Sequence, residues 1–406
     1  MTIDLLSGPA SPEGGPTHWR AVDAATEELS GPLAVVSLEA LRYNAADLLV
    51  RAGGVPIRVA SKSVRVRGVL DAVLALPGYR GILAFTLPEA LWLARDHDDI
   101  VLGYPSVDRN ALATLAADER AAARITLMID DPAQLDLVDA VAAPGSRPEI
   151  RVAIDVDASW RAGLLGHIGV RRSPVHDPGE AAGLARRVAA RPGFHLVGLM
   201  MYEAQVAGRG DATGVGDPVI RWMQQRSAVE LAERRAAVVA GVREIADLEF
   251  VNGGGTGSLE RTAAEAAVTE LTAGSGLLAG HLFDGYRAFT PAPAAAFGLE
   301  VVRKPLPDVV TVLGGGWIAS GPPSGSRQPT PVWPAGLRML PREGAGEVQT
   351  PLRGRAARPL RLGERVWFRH AKSGELAERI DHYHLVENGR TVGELPTYRG
   401  EGRSFL

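Results

Sequence analysis

Between residue 55 and about residue 275, short apolar runs alternate with longer stretches in which apolar residues recur at helical spacing. The short runs fall at 56–60, 81–85, 100–103, 125–129, 150–156, 195–201, 248–252 and 269–272, each of strand length. Between them, 88–96, 132–142 and the long 219–245 read as helices. The first two open on proline, whose fixed φ and missing N–H suit a first helical turn. Eight β-then-α units predict a (β/α)8 barrel of the TIM type. A doubly wound sheet shares the alternation, so the barrel rests on the count of eight.

After about residue 285 the texture changes. Proline and glycine become dense, and short β-like runs follow at 309–313, 365–368, 384–386 and 391–392. The expected organisation is an N-terminal segment at 1–30, outside the barrel pattern, that joins the β domain and could add a strand to it, a barrel at 31–285 and a β-rich domain at 286–406.

Composition narrows the function. The net charge of −3 comes from 44 basic and 47 acidic residues without long single-sign blocks, so no nucleic-acid partner is expected. Cysteine is absent, which excludes disulfides, thiolate metal sites and cysteine nucleophiles. The first residues, MTIDLLSGPASPEGGPTHW, lack a basic segment followed by an apolar one, and no run of about 18 apolar residues exists. No membrane partner is expected, and cytoplasm is the expected compartment. Lysine occurs only at 62, 304 and 372; the other 41 basic residues are arginine. A lysine kept at a strand end therefore asks for a reason specific to an amine. An amine can form a Schiff base, and a guanidinium cannot.

The polar residues with chemical potential stand at or after strand ends, the face on which barrel enzymes carry their active sites. Lys62 follows the first run, Asp155, Asp157 and Arg161 the fifth, and Tyr202, Glu203 and Gln205 the sixth. After the seventh comes NGGGTGS at 252–258, with Gly255 and Thr256, and after the eighth GSG at 274–276, with Gly274 and Ser275. Either loop alone reads as a tight turn. Both together, after strands seven and eight, suggest backbone donors and hydroxyls around a phosphate. Segment 253–258 ends in serine where a dinucleotide fingerprint needs glycine, and no Gly-Lys-Ser/Thr exists. Arg161 reads either as a surface residue or as an anchor for a cofactor oxygen or substrate carboxylate. Tyr202 reads as core or site, and Asp155 and Asp157 as rim partners. His97, His176 and His281 read as ordinary surface or loop histidines.

Lys62, Arg161 in DVDASWRAG and the two glycine loops resemble the fold-type III pyridoxal-phosphate enzymes. That group includes alanine racemase and the D-threonine aldolase/D-serine dehydratase family. The resemblance covers nearly the whole chain and is nearest the aldolase/dehydratase branch, often labelled amino-acid deaminase/aldolase. It implies pyridoxal 5′-phosphate on Lys62, held further by Arg161, Tyr202, Gly255, Thr256, Gly274 and Ser275. It also implies an amino-acid substrate and a homodimer in which one chain's β domain closes over the other's barrel mouth. Four features depart from the pattern. No arginine stands where racemases bond the pyridine nitrogen, Thr272 being the nearest polar residue, and no counterpart of their tyrosine base is recognisable. Val64 replaces a histidine of the aldolase/dehydratase branch. His370 matches the first residue of that branch's metal motif, but Ala371 and Lys372 follow it. A divalent metal, zinc or manganese, is thus a candidate at His370, helped by His382 or His384. The expected activity is that of a lyase on a β-hydroxy amino acid of D configuration. Retro-aldol cleavage and dehydration with deamination both stay open; the alternatives are racemisation or epimerisation, or a non-catalytic carrier of the cofactor.

Overall fold

The computed structural model describes residues 3–406 apart from 323 and 373. Eight parallel strands close into a barrel: β1 Ile57–Ala60, β2 Tyr79–Ala84, β3 Ile100–Leu102, β4 Ile125–Ile129, β5 Ile150–Asp155, β6 Phe194–Met201, β7 Phe250–Gly253 and β8 Glu270–Ala273. β8 pairs with β1 through Leu271 opposite Ile57 and Thr272 opposite Arg58, which closes the ring. Nearly every residue of these strands is buried, as expected where side chains on one face fill the barrel and those on the other pack under helices. The barrel is filled by Val101, Met128, Ala153, Val197, Met200 and Phe250. Gly198 is part of that fit, since a Cβ there would collide with the Phe250 ring. Below this layer, Arg58 is almost fully buried and bonds Glu270 at 2.8 Å and Asp99 at 2.8 Å. These contacts compensate its burial.

The helices predicted at 88–96, 132–142 and 219–245 are Leu87–Leu93, Ala133–Val141 and Asp217–Arg243. Thr86 caps the first of these, accepting from the Glu89 amide at 3.3 Å.

The second unit is a nine-stranded sheet. Its longest strand, Ala295–Leu306, pairs antiparallel with Val309–Leu313, Arg365–Arg369 and, further along, Leu33–Ser37. Leu33–Ser37 also pairs in parallel with His382–Glu387. The apolar run LAVVS thus belongs to the sheet, whereas the sequence reading enclosed it in a barrel beginning at residue 31. Its neighbours in space lie more than 250 residues away, so nothing local marks the assignment. In the N-terminal segment the helix Pro16–Ala25 sets Trp19 and Val22 against Leu33, Val35, Ala296, Trp367 and Val386.

The two units are tied together near β1. Tyr398 donates from its hydroxyl to Glu89 Oε1 at 2.9 Å and from its amide to the Arg65 carbonyl at 2.9 Å. Arg65 pairs with Glu378 at 2.6 Å, and Arg67 with Glu401 at 2.6 Å. None of the helices among the described residues is long and apolar enough to cross a membrane.

Candidate active site

β1 runs directly into one 3-10 turn, Ser61–Ser63, in which both serines are buried and Lys62 between them is exposed. Ser61 Oγ donates to the Leu83 carbonyl at 3.1 Å, and Val64 is fully buried, so the turn is pinned on both sides of the lysine. The Lys62 amine donates to the Tyr104 hydroxyl at 2.5 Å. Tyr104 stands two residues beyond β3. No motif in the sequence singles it out; only its place after a strand end offers a signal.

The other polar residues of the mouth gather around Arg172. Its guanidinium lies 5.6 Å from the Tyr104 ring centre and 5.7 Å from that of Tyr202. Asp155, at the tip of β5, is pushed up to about pKa 7 by burial and by Asp130, with Arg172 acting in the opposite direction. Burial and the neighbouring Glu203 push Tyr202 up to about 12. Arg161 is placed elsewhere on the rim. It sits on the short hairpin Trp160–Arg161/His167–Ile168, with 55% of its side chain exposed and Asp157 3.8 Å away. It lines a cleft of about 670 Å³ together with His167, Arg171 and Arg172. Arg172 is thus the arginine that connects this cleft to the tyrosines. It lies in an aperiodic loop whose position depends on the fold, so the sequence offers no sign of it.

The two glycine loops meet each other. Thr256 Oγ1 accepts from the Gly276 amide at 3.1 Å and from Ser275 Oγ at 3.3 Å. Gly255 packs so closely that a Cβ would stand 2.8 Å from Ala207 Cβ and 3.0 Å from Tyr202 Cε2. A Cβ on Gly274 would approach the Ala60 carbonyl to 2.5 Å. Beneath, the buried Glu203 carboxylate holds the first loop, accepting from Ser258 Oγ at 2.7 Å, from the Gly254 amide at 3.2 Å and from Thr262. Arg235 completes this clamp at 3.0 Å. The amides of Thr256 and Gly257 have no protein acceptor among the described residues. Free amides, two hydroxyls and an approachable backbone fit the phosphate of pyridoxal 5′-phosphate, and the exposed Lys62 amine fits its carbonyl. Thr272 Oγ1 is engaged with Asn252 at 2.8 Å inside the barrel wall.

The residues considered for a metal do not converge. His370 is buried, and burial with nearby Arg369 and His281 pushes its imidazole down to about pKa 3. His382 and His384 lie on His382–Glu387, which the strands Leu33–Ser37 and Ala295–Leu306 separate from Arg365–Arg369. His384 faces Glu394 at 3.8 Å instead. No group of three histidine, cysteine or acidic side chains able to hold a metal occurs among the described residues. Two positions beyond His370 stands the cation of Lys372, so the set does not fit a divalent ion.

Comparison with known proteins agrees with this architecture. The chain is 27% identical over 274 residues to a D-threonine aldolase of Arthrobacter sp., a match spanning 64% of each sequence. The chain thus covers a little under two thirds of that relative's length. Among solved structures, the D-threonine aldolase of Filomicrobium marinum superposes with a TM-score of 0.77 at 20% identity, covering 93% of this chain and 97% of the other. The D-threo-3-hydroxyaspartate dehydratase of Delftia sp. HT23 gives 0.72 at 20% identity, covering 91% and 97%. At such identities the likeness shows a shared fold of barrel and β sheet. The family described as alanine racemase, N-terminal domain, matches residues 36–277, more than half of the chain, and the protein belongs to that family.

Proposed function

We propose that the protein is a pyridoxal 5′-phosphate-dependent lyase acting on a β-hydroxy amino acid of D configuration. The observation that carries the reading is the exposed Lys62 amine at the end of β1, 2.5 Å from the Tyr104 hydroxyl and beside the tethered glycine loops. When bound, the cofactor supplies a conjugated sink for the electron pair released as a bond at Cα breaks. Lys62 would hold its carbonyl carbon, while Gly255, Thr256, Gly274 and Ser275 would surround its phosphate. Tyr202 would lie alongside, and Arg161 or Arg172 would meet an oxygen of cofactor or substrate. Once substrate is seated, Lys62 is the residue to carry a proton at Cα, and Tyr104 orients its amine. The names of the similar proteins, a D-threonine aldolase and a D-threo-3-hydroxyaspartate dehydratase, support the substrate class.

The reading includes a homodimer. Leu164 and Leu165 at the hairpin tip are exposed, and so is Trp222, which packs edge-on against Trp160 of the same hairpin. Such an apolar group next to a reactive mouth supports cover by a second copy, which light scattering would reveal as twice the chain mass.

The test is direct. Protein loaded with the cofactor is expected to be yellow, and borohydride reduction followed by peptide mapping to place the pyridoxyl group on Lys62. A panel of D- and L-β-hydroxy amino acids is expected to give carbonyl products from D isomers. A label on Lys304 or Lys372, or rapid interconversion of alanine enantiomers without carbonyl product, would overturn the reading.

A further inference from the structure

Two of the three lysines stand at the same mouth. Lys304 is accounted for by the sheet, where it donates to the carbonyls of Arg358 and Leu360 at 2.5 and 2.9 Å. Lys372 lies on the loop after Arg365–Arg369, and that loop is seated on the Lys62 turn. A Cβ on Gly374 would collide with the Lys62 carbonyl, so only glycine allows this approach. On the other side the His281 amide donates to the His370 carbonyl at 2.9 Å. Lys372 Nζ, held between these anchors, donates to Ser320 Oγ at 2.7 Å and lies 3.9 Å from Glu375. Lys62, Tyr104 and Arg327 are near enough to act on its charge.

A lyase of the proposed kind must deal with the oxygen on Cβ. In retro-aldol cleavage the hydroxyl gives up its proton and becomes a carbonyl, which calls for a base. In dehydration the oxygen departs and must gain a proton, which calls for an acid. The Lys372 amine donates to Ser320 and lies 3.9 Å from Glu375, an arrangement that suits its ammonium form, and burial lowers its pKa, which makes that ammonium a stronger acid than a solvated lysine. The residues around His370 do not fit a divalent ion that would serve the oxygen instead.

We propose that Lys372 is the acid that protonates the departing β-hydroxyl, and that the reaction is therefore dehydration. This rests on the lyase reading above. The Cα proton passes to Lys62, the Cβ–O bond breaks with its electron pair on oxygen, and a Lys372 proton joins that oxygen to release water. Lys372 regains its proton from solvent. The unsaturated amine left behind takes up a Cβ proton and hydrolyses with one water to a 2-keto acid and ammonia. No metal enters this sequence.

The experiment compares D-serine, whose hydroxide needs a proton to leave, with 3-chloro-D-alanine, whose chloride does not. Lys372→Met is expected to lower kcat on D-serine by about 100-fold or more and to leave pyruvate formation from 3-chloro-D-alanine within about 3-fold of wild type, as chloride needs no acid. Calorimetry with α-methyl-D-serine, which has no Cα proton, and 2-aminoisobutyrate adds a readout free of turnover. Wild type should favour the hydroxylated ligand, and Lys372→Met should not. Lys372→Arg serves as a second variant that keeps the charge and the fold but is too weak an acid, and it should show the same split between substrates. Equal loss on both substrates, unchanged D-serine turnover, or glycine and aldehyde as the main products from D-threonine would overturn the proposal. Failure of wild type to take the cofactor on Lys62 would instead overturn the lyase reading.

Discussion

The Lys62–Tyr104 pair is short because both side chains are fixed from behind: the lysine by a turn with buried serines, the tyrosine by the end of β3. A phenol at 2.5 Å restricts where the amine can point, which is what orientation of a proton carrier requires. Tyr104→Phe is therefore expected to retain borohydride labelling of Lys62 while lowering turnover by about 10- to 100-fold, a typical scale for a lost positioning contact. Loss of the label together with the activity would mean that Tyr104 acts on cofactor attachment and not on proton transfer. Lys62 was legible because lysine is scarce in this chain and this one follows a strand. Tyr104 and Arg172 were not, because their meaning lies in which residues they face, and those come from other strands. Arg161 shows the converse case: a motif picked it out, while the fold sets it on an exposed hairpin beside Asp157.

At the level of elements, the eight strands were legible because a closed parallel barrel buries both faces of every strand, which leaves continuous apolar runs of strand length. Their ends shift by at most two residues; the run read at 248–252, for example, is Phe250–Gly253. The glycine loops were legible too, since repeated glycines after strands seven and eight have few uses other than close approach. What joins the loops was hidden: Thr256 across to Gly276, and Glu203 beneath. A valine at position 255 would have to displace Ala207 and the Tyr202 ring. Gly255→Val is therefore expected to weaken cofactor affinity by about 10-fold or more, as read by absorbance titration of the apo-protein. Wild-type affinity in a folded Gly255→Val variant would remove that loop from the phosphate site.

At the scale of the whole molecule, the sheet takes strands from both sides of the barrel in sequence, so the partners of Leu33–Ser37 lie beyond the whole barrel. Sequence periodicity has no reach over such separations. The seam between the units includes one titratable group whose effect can be isolated. Glu89 is fully buried, accepts from Tyr398 of the sheet unit and from the Phe85 amide at 2.7 Å, and is pushed up to about pKa 7 by burial. The folded state therefore holds a proton on Glu89 between about pH 4.5 and 7 that the unfolded chain has lost. A state that binds the extra proton loses relative stability as pH rises, here by up to about 1.4 kcal/mol per pH unit for one full proton. His370 acts in the opposite sense: its depressed pKa makes the folded state lose stability as pH falls from about 6.5 towards 3. The net pH profile thus mixes the two, and the difference between wild type and Glu89→Gln separates them. That difference should shift towards the variant as pH rises from about 4.5 to 7 and level off above, as measured by urea unfolding at matched ionic strength. A difference that is flat with pH would show that the Glu89 carboxyl ionises as readily in the folded protein as in water.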